Sequence, residues 1–230
     1  MLKENLLMKK IVVFLTFMLI NSLYAQKDSL QIGDRYFEDQ LYLDVSYNVL
    51  RNQPDGVKSS SFSYGSSIGY IRDIPLMKNG KLALGVGIGY GYDSFSHGLK
   101  VVKTNLGYLY EATTNTSNKL QLHAVEFPIQ FRVRSSEVNK YSFWRLYTGV
   151  KLSYNIANKF SYLDENKATV SNINTSNYNK FQVGLTMSVG YGTFNFYIYY
   201  GLTPLLNNAE INSATIDSKV FKLGLSFYLL

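Results

Sequence analysis

From Leu82 to Phe95 the chain reads L-A-L-G-V-G-I-G-Y-G-Y-D-S-F. Large apolar residues occupy the even positions through Tyr92, and Ala83, Gly85, Gly87, Gly89 and Gly91 lie between them. A period of two is that of a β-strand, whose successive side chains point to opposite faces. A strand face that meets water normally carries polar side chains, so a glycine face implies crowding by bulky neighbours, as in the bore of a narrow barrel. Aliphatic residues followed by Tyr90 and Tyr92 on the other face read as a lipid-facing band ending in an aromatic girdle.

The same alternation recurs along the chain. Leu41, Leu43, Val45, Tyr47 and Val49 oppose Tyr42, Asp44, Ser46 and Asn48 in a first strand. Phe62 to Tyr70 forms a second, ended by Ile74-Pro75, and Asn79-Gly80 turns tightly into the glycine-faced third. A fourth runs from Leu120 to Arg134, a fifth from Phe143 to Ile156 and a sixth from Phe181 to Tyr191. After a turn at Gly192-Thr193 come a seventh from Phe194 to Leu202 and a last from Lys219 to Leu230. Connections after the odd-numbered strands are the longer ones, and two of them, 94–118 and 158–179, read as polar loops. Long loops at one end and short turns at the other are the signature of an outer-membrane barrel with both ends in the periplasm. The expected fold is therefore all-β, an eight-stranded antiparallel up-and-down transmembrane β-barrel.

Targeting agrees with this. Lys9 and Lys10 precede an apolar core from Ile11 to Ile20, and Ser22-Leu23-Tyr24-Ala25 offers a cleavage site before Gln26, although Leu23 is larger than usual for its position. Met8-Lys9-Lys10 is itself a complete signal beginning, so translation from Met1 or Met8 leads to the same exported chain. The domain reading is a signal peptide over 1–25, a periplasmic lead-in over 26–39 and the barrel over 40–230. Beyond the leader there is no run of about 18 apolar residues, so the chain enters a membrane only as strands. At 230 residues it suits one domain, and 20 tyrosines in a chain 15% aromatic favour β structure. Cysteine is absent, which removes disulfides and thiolate metal sites. Removing Lys3, Glu4, Lys9 and Lys10 with the leader lowers the formal charge from +7 to +5 (20 − 15). The remaining basic residues are scattered, so nucleic acid is not an expected partner.

Several of these segments resemble a known family. Val125-Glu126-Phe127-Pro128-Ile129 is similar to the Leu-Glu-Ile-Pro-Leu pattern of the PorT-family small outer-membrane barrels of Bacteroidetes, and Phe62-Ser63-Tyr64-Gly65 through Ile71-Arg72-Asp73-Ile74-Pro75-Leu76 resembles their second strand and first turn. At the end, Lys222, Gly224, Phe227 and Leu229 match the C-terminal signal read by the barrel-insertion machinery. The resemblance implies an eight-stranded barrel in the cell outer membrane and, through the family's founding member, accessory service in type IX secretion.

Chemistry is sought among the inward polar residues. The expected lumen network comprises Asp44, Glu126, Arg132, Arg134, Arg145 and Lys151. A turn symmetric about residues 138 and 139 would set Glu126 opposite Lys151 and Arg132 opposite Arg145, with the arginines towards the periplasmic end. An eight-stranded bore is just wide enough for side chains to fill, and polar fillers must satisfy one another. Catalysis needs a nucleophile with a positioned base. Asp93, Ser94, Ser96 and His97 supply the residue types for lipid acyl transfer but nothing that fixes their geometry, and His123 reads as a rim or lumen residue. No catalytic, cofactor or metal site is assigned. The expected partners are outer-membrane lipid, the insertion machinery and envelope proteins met through the extracellular loops, where Tyr108, Tyr110, Phe160 and Tyr162 are aromatic islands. The function expected is a non-enzymatic integral outer-membrane protein, with a minor pore or small-ligand barrel as the alternative.

Overall fold

The computed structural model describes residues 39–54, 56–57, 62–77, 80–105, 107–113, 118–135, 144–163, 168–175, 177–207, 209–211 and 214–229. The segments expected as signal peptide (1–25) and, but for residue 39, as periplasmic lead-in (26–39) lie outside these residues, as do Asn79 and Leu230. Among the described residues thirteen strands are formed: β1 (Gln40–Arg51), β2 (Tyr64–Pro75), β3 (Leu82–Ser96), β4 (Leu99–Thr104), β5 (Gly107–Ala112), β6 (Lys119–Arg134), β7 (Trp144–Leu163), β8 (Thr169–Ile173), β9 (Phe181–Tyr191), β10 (Phe194–Gly201), β11 (Glu210–Ile211), β12 (Ala214–Thr215) and β13 (Lys219–Leu229). Eight of them close an antiparallel barrel in the order β1-β2-β3-β6-β7-β9-β10-β13, sealed by β13 pairing with β1 from Leu41↔Leu229 to Arg51↔Lys219. Among the described residues there is no helix long and apolar enough to cross a membrane; the strands cross it.

The period-two pattern decides which side chains face lipid. Leu41, Val45, Ile68, Ile88, Ile129, Leu185 and Leu225 are exposed on the outside. The alternate positions face inward, including the glycine row of β3, where Gly85 and Gly91 are buried and Gly87 and Gly89 half-buried. A Cβ at Gly85 would lie 2.6 Å from Nε of Arg132, and one at Gly91 would lie 2.5 Å from Oε1 of Glu126. The crowding that explains a glycine face is supplied by charged lumen side chains at these two positions and by Ile71, Tyr42 and the neighbouring backbone at Gly87 and Gly89. Aromatic residues gird the outside near both ends. Tyr47, Phe62, Tyr64 and Tyr92 follow one another at centroid spacings of 5.6, 6.0 and 6.2 Å at the loop end, and Trp144 meets Tyr191 at 5.6 Å at the short-turn end.

The second strand ends at Pro75, as the Ile74-Pro75 pair predicts, because the missing N–H is tolerated at the strand's last position. Two sequence expectations are corrected. The segments 94–118 and 158–179 are not open loops. β3 continues to Ser96, β4 and β5 form a hairpin, and β7 runs seven residues past the expected Ile156 to Leu163, where it pairs with β8. The register between β6 and β7 also differs from a symmetric turn about 138 and 139: Glu126 faces Ser153, Lys151 faces Pro128, Arg132 faces Tyr147 and Arg134 faces Arg145. A slip of two residues keeps every side chain on its own face, so the lumen set is unchanged while its cross-strand neighbours move.

Candidate functional site

The bore is filled by three layers, each built on a cation. Nearest the short turns, Arg132 and Arg134 share Asp73: Arg132 Nη1 donates to Oδ1, and Arg134 Nη1 lies 2.6 Å from Oδ2. Gln130 Oε1 accepts from Arg132 Nε at 3.1 Å, Gln40 Oε1 accepts from its Nη1 at 3.2 Å, and the guanidinium lies 4.5 Å from the centre of the Tyr147 ring. Arg134 Nε also donates to the Gly80 carbonyl at 2.7 Å, and Arg145 donates to that of Gly192, so both tie lumen strands to the short turns. In the middle layer Lys151 Nζ lies 2.8 Å from Glu126 and 3.2 Å from Asp44, between the rings of Tyr42 and Tyr197 at 5.6 and 5.3 Å. Higher still, Lys222 binds Asp93 at 2.7 Å beneath Tyr199 at 5.2 Å, and Asn48 Nδ2 donates to the same carboxylate at 2.8 Å. Arg132, Lys151 and Lys222 are each held by a carboxylate and a tyrosine face, the arrangement that a desolvated charge requires. Beside Glu126 and Lys222 a cavity lined also by Ser153, Asn155 and Gln182 has room for about one water molecule.

The structure places all six predicted network residues in the bore and links Asp44, Glu126 and Lys151 into one cluster and Arg132 and Arg134 into another, with Arg145 beside Arg134. Sequence reasoning left Asp73, Asp93 and the inward-facing tyrosines out of the network. Their signal was parity: Asp73 continues the inward row Ser63, Gly65, Ser67, Gly69, and Asp93 ends that of Gly85 to Gly91. Of the four C-terminal signal residues, Lys222 and Gly224 face inward and Phe227 and Leu229 outward, so Lys222 is also a structural cation of the lumen.

Above the top layer lies an apolar roof. Val57, Phe95, Leu99, Val101, Tyr110, Leu120, Phe160, Leu205 and Ile216, drawn from all four long connections, form one buried cluster over the bore. Asn118 Nδ2 donates to the Leu99 carbonyl at 2.8 Å, and Asn158 Oδ1 accepts from the amide and hydroxyl of Thr175, both at 3.0 Å. Tyr110 and Phe160, expected as contact aromatics, are instead roof core, and Lys100 lies over the ring of Tyr162 at 5.7 Å. His97 sits inside this roof, edge-on to Phe160 at 5.4 Å, and its Nδ1 accepts from the Leu99 amide at 3.0 Å. Burial pushes its pKa down to about 4. Asp93 is committed to Lys222, so the acid, hydroxyl and imidazole of 93–97 do not converge. His123 lies on the outer face at the rim, hydrogen-bonded through Nδ1 to the Tyr90 hydroxyl.

A family profile described as an outer membrane protein beta-barrel domain matches residues 24–207. This chain belongs to that family. Its place is the outer membrane, where the closed barrel spans the bilayer with strands. No curated protein matches by sequence. Among solved structures, Ail of Yersinia pestis in complex with the heparin analogue sucrose octasulfate is similar at 13% identity and TM-score 0.39, covering 84% of this chain and 99% of that one. A second structure of Yersinia pestis Ail aligns at 13% identity and TM-score 0.36, covering 83% of this chain and 97% of that one. A mutant of the Rh. blastica porin aligns at 10% identity and TM-score 0.22 over 84% and 100%.

Proposed function

We propose that this family member is a non-enzymatic, non-conducting outer-membrane anchor whose ordered cap and barrel surface contact other components of the cell envelope. The observation that carries this reading is the filled bore: three cation layers occupy it, and an apolar roof covers its loop end. A filled eight-stranded barrel supports no water channel, which weighs against the minor-pore and small-ligand alternative. Acyl transfer is disfavoured because His97 uses Nδ1 on a backbone amide and has no acid partner among the described residues. The outer face of the β4–β5 hairpin offers the contact surface, with Leu109 exposed and Lys100 paired to Glu111 at 3.6 Å beside it.

A narrower form of the proposal, an accessory role in type IX secretion, rests on the PorT-like strand motifs and predicts that subunits of that machine are among the partners. Lys222, Gly224, Phe227 and Leu229 are proposed as the segment that the barrel-insertion machinery reads. Folded full-length protein in a planar bilayer is expected to give no channel steps. A photocrosslinker at Leu109 in native outer membrane is expected to give a discrete protein adduct that Lys100→Glu weakens. Regular conductance steps, or adducts with lipid alone, would overturn the proposal.

A further inference from the structure

At the loop end the outer face carries cations just beyond the aromatic belt, on two opposite walls. On one wall Arg51 of β1 lies directly across from Lys219 of β13, with its guanidinium 5.4 Å over the ring of Phe221. Asp217 lies 3.3 Å from Lys219, so this pair has a carboxylate nearby. On the other wall Lys119 of β6 faces Ser161 of β7, and Lys159 of β7 faces Gln121 of β6, which makes the two lysines diagonal neighbours on one face. Both are exposed. Neither makes an ion pair among the described residues, and their partners on the flanking strands bring no carboxylate: Lys119 meets Ser96 of β3, and Lys159 meets Ile173 of β8.

Neighbouring like charges on a sheet face repel and lower the stability of the bare barrel, so this pair is a liability unless something anionic lies between. Diagonal neighbours have Cβ atoms roughly 7 Å apart, and two flexible lysine stems can bring both ammonium groups onto one phosphate across that span. Depth fits as well. Gln121 donates to the Tyr92 hydroxyl at 2.7 Å, Tyr92 lies 5.1 Å from His123, and these aromatics sit immediately below the lysines on the same face. An aromatic belt marks the edge of the hydrocarbon, so side chains one to two residue pairs above it are at headgroup level. β7 is 20 residues long and β6 is 16, whereas about 9 to 11 suffice to span, so both carry their upper residues out of the bilayer core.

We propose that Lys119 and Lys159, flanked by Gln121 and Ser161, bind a phosphate group of the phosphorylated glycolipid that forms the outer leaflet. The partner is a lipid because the pair stands on the lipid-facing wall and not on the roof. This site is independent of whatever the cap contacts.

The test uses full-length protein folded in detergent, titrated with bisphosphorylated lipid A, with lipid A stripped of its phosphates, with phosphatidylglycerol and with inorganic phosphate, and read by native mass spectrometry. Lipid A should be retained, Lys119→Gln/Lys159→Gln should bind it about tenfold more weakly, and Lys119→Arg/Lys159→Arg should keep it. Unchanged heat-modifiable gel mobility establishes that the variants are folded. Equal retention of lipid A by the Gln variant, or of the dephosphorylated lipid by the native chain, would overturn the site. Displacement by millimolar inorganic phosphate, or equally tight phosphatidylglycerol, would overturn the glycolipid assignment.

Discussion

At the scale of single residues, Lys151 is the side chain on which most of the lumen depends. It lies between two carboxylates and two tyrosine rings, and neither acid has another cation within ion-pair distance among the described residues. Breaking a buried pair leaves an uncompensated charge, a cost of roughly 3 to 5 kcal/mol. Lys151→Met should therefore lower the temperature at which the folded barrel loses its compact gel mobility. Adding Asp44→Asn and Glu126→Gln should restore much of the loss, because no charge is then left unpaired. A Lys151→Met barrel as heat-resistant as the native one would rule out the layer as a source of stability. The partners of Lys151 were legible only in part. Parity alone puts Glu126 and Lys151 inside, but which residues touch depends on the β6–β7 register, and the span 136–143 carries no pattern that pins it. Asp44 reaches Lys151 across the bore, and Asp73 of β2 reaches its arginines on β6 over the small residues of the intervening β3; no local spacing announces such contacts.

At the scale of elements, the eight barrel strands could be read directly because each carries its whole apolar face in its own sequence. The roof could not, since each connection contributes only a few of its residues and no segment shows a face by itself. Leu99 and Val101 are buried while Lys100 and Val102, which alternate with them, are only partly covered, an alternation too short to stand out among glycine, threonine and asparagine. His97 gives this element a pH dependence. Its imidazole is held neutral, with a pKa of about 4 where the open chain has an ordinary 6.5. Between those values the opened roof takes up a proton that the closed roof does not, so the closed form loses stability as pH falls from about 6.5 to about 4 and levels off below. The full effect is on the order of 3 kcal/mol. Hydrogen exchange at the Leu99 amide, corrected for intrinsic rates, should show roof opening favoured at pH 4.5 relative to pH 7.5. His97→Asn, which keeps an acceptor for that amide, should flatten the profile. An unchanged pH dependence in His97→Asn would assign the effect to another group.

On the scale of the whole molecule, closure and filling are separate properties, and the chain secures the bore twice. The seam between β1 and β13 is paired along its length, so no barrel edge is left open there. Inside, the side chains of Arg132 and Asp73 have no exposed surface, and Tyr147 and Tyr228, which meet edge-to-face at 5.2 Å, block the section around them. The roof is a second seal, held to the barrel rim by Phe95, Leu120 and Phe160 and packed on Tyr197 and Tyr199 of the layers beneath. Because the cation layers lie below the roof and draw on barrel strands alone, removing the roof should leave them in place. Replacing 99–112 by a short glycine-serine link deletes the β4–β5 hairpin and with it Leu99, Val101 and Tyr110. The resulting barrel should still be silent in a planar bilayer, while its remaining cap becomes sensitive to protease. Discrete openings in that variant would mean that the roof alone keeps ions out and that the charged layers admit them. Silence that persists until Arg132→Ala and Lys151→Ala are added would locate the barrier in the lumen, where the glycine rows leave room for the very side chains that close it.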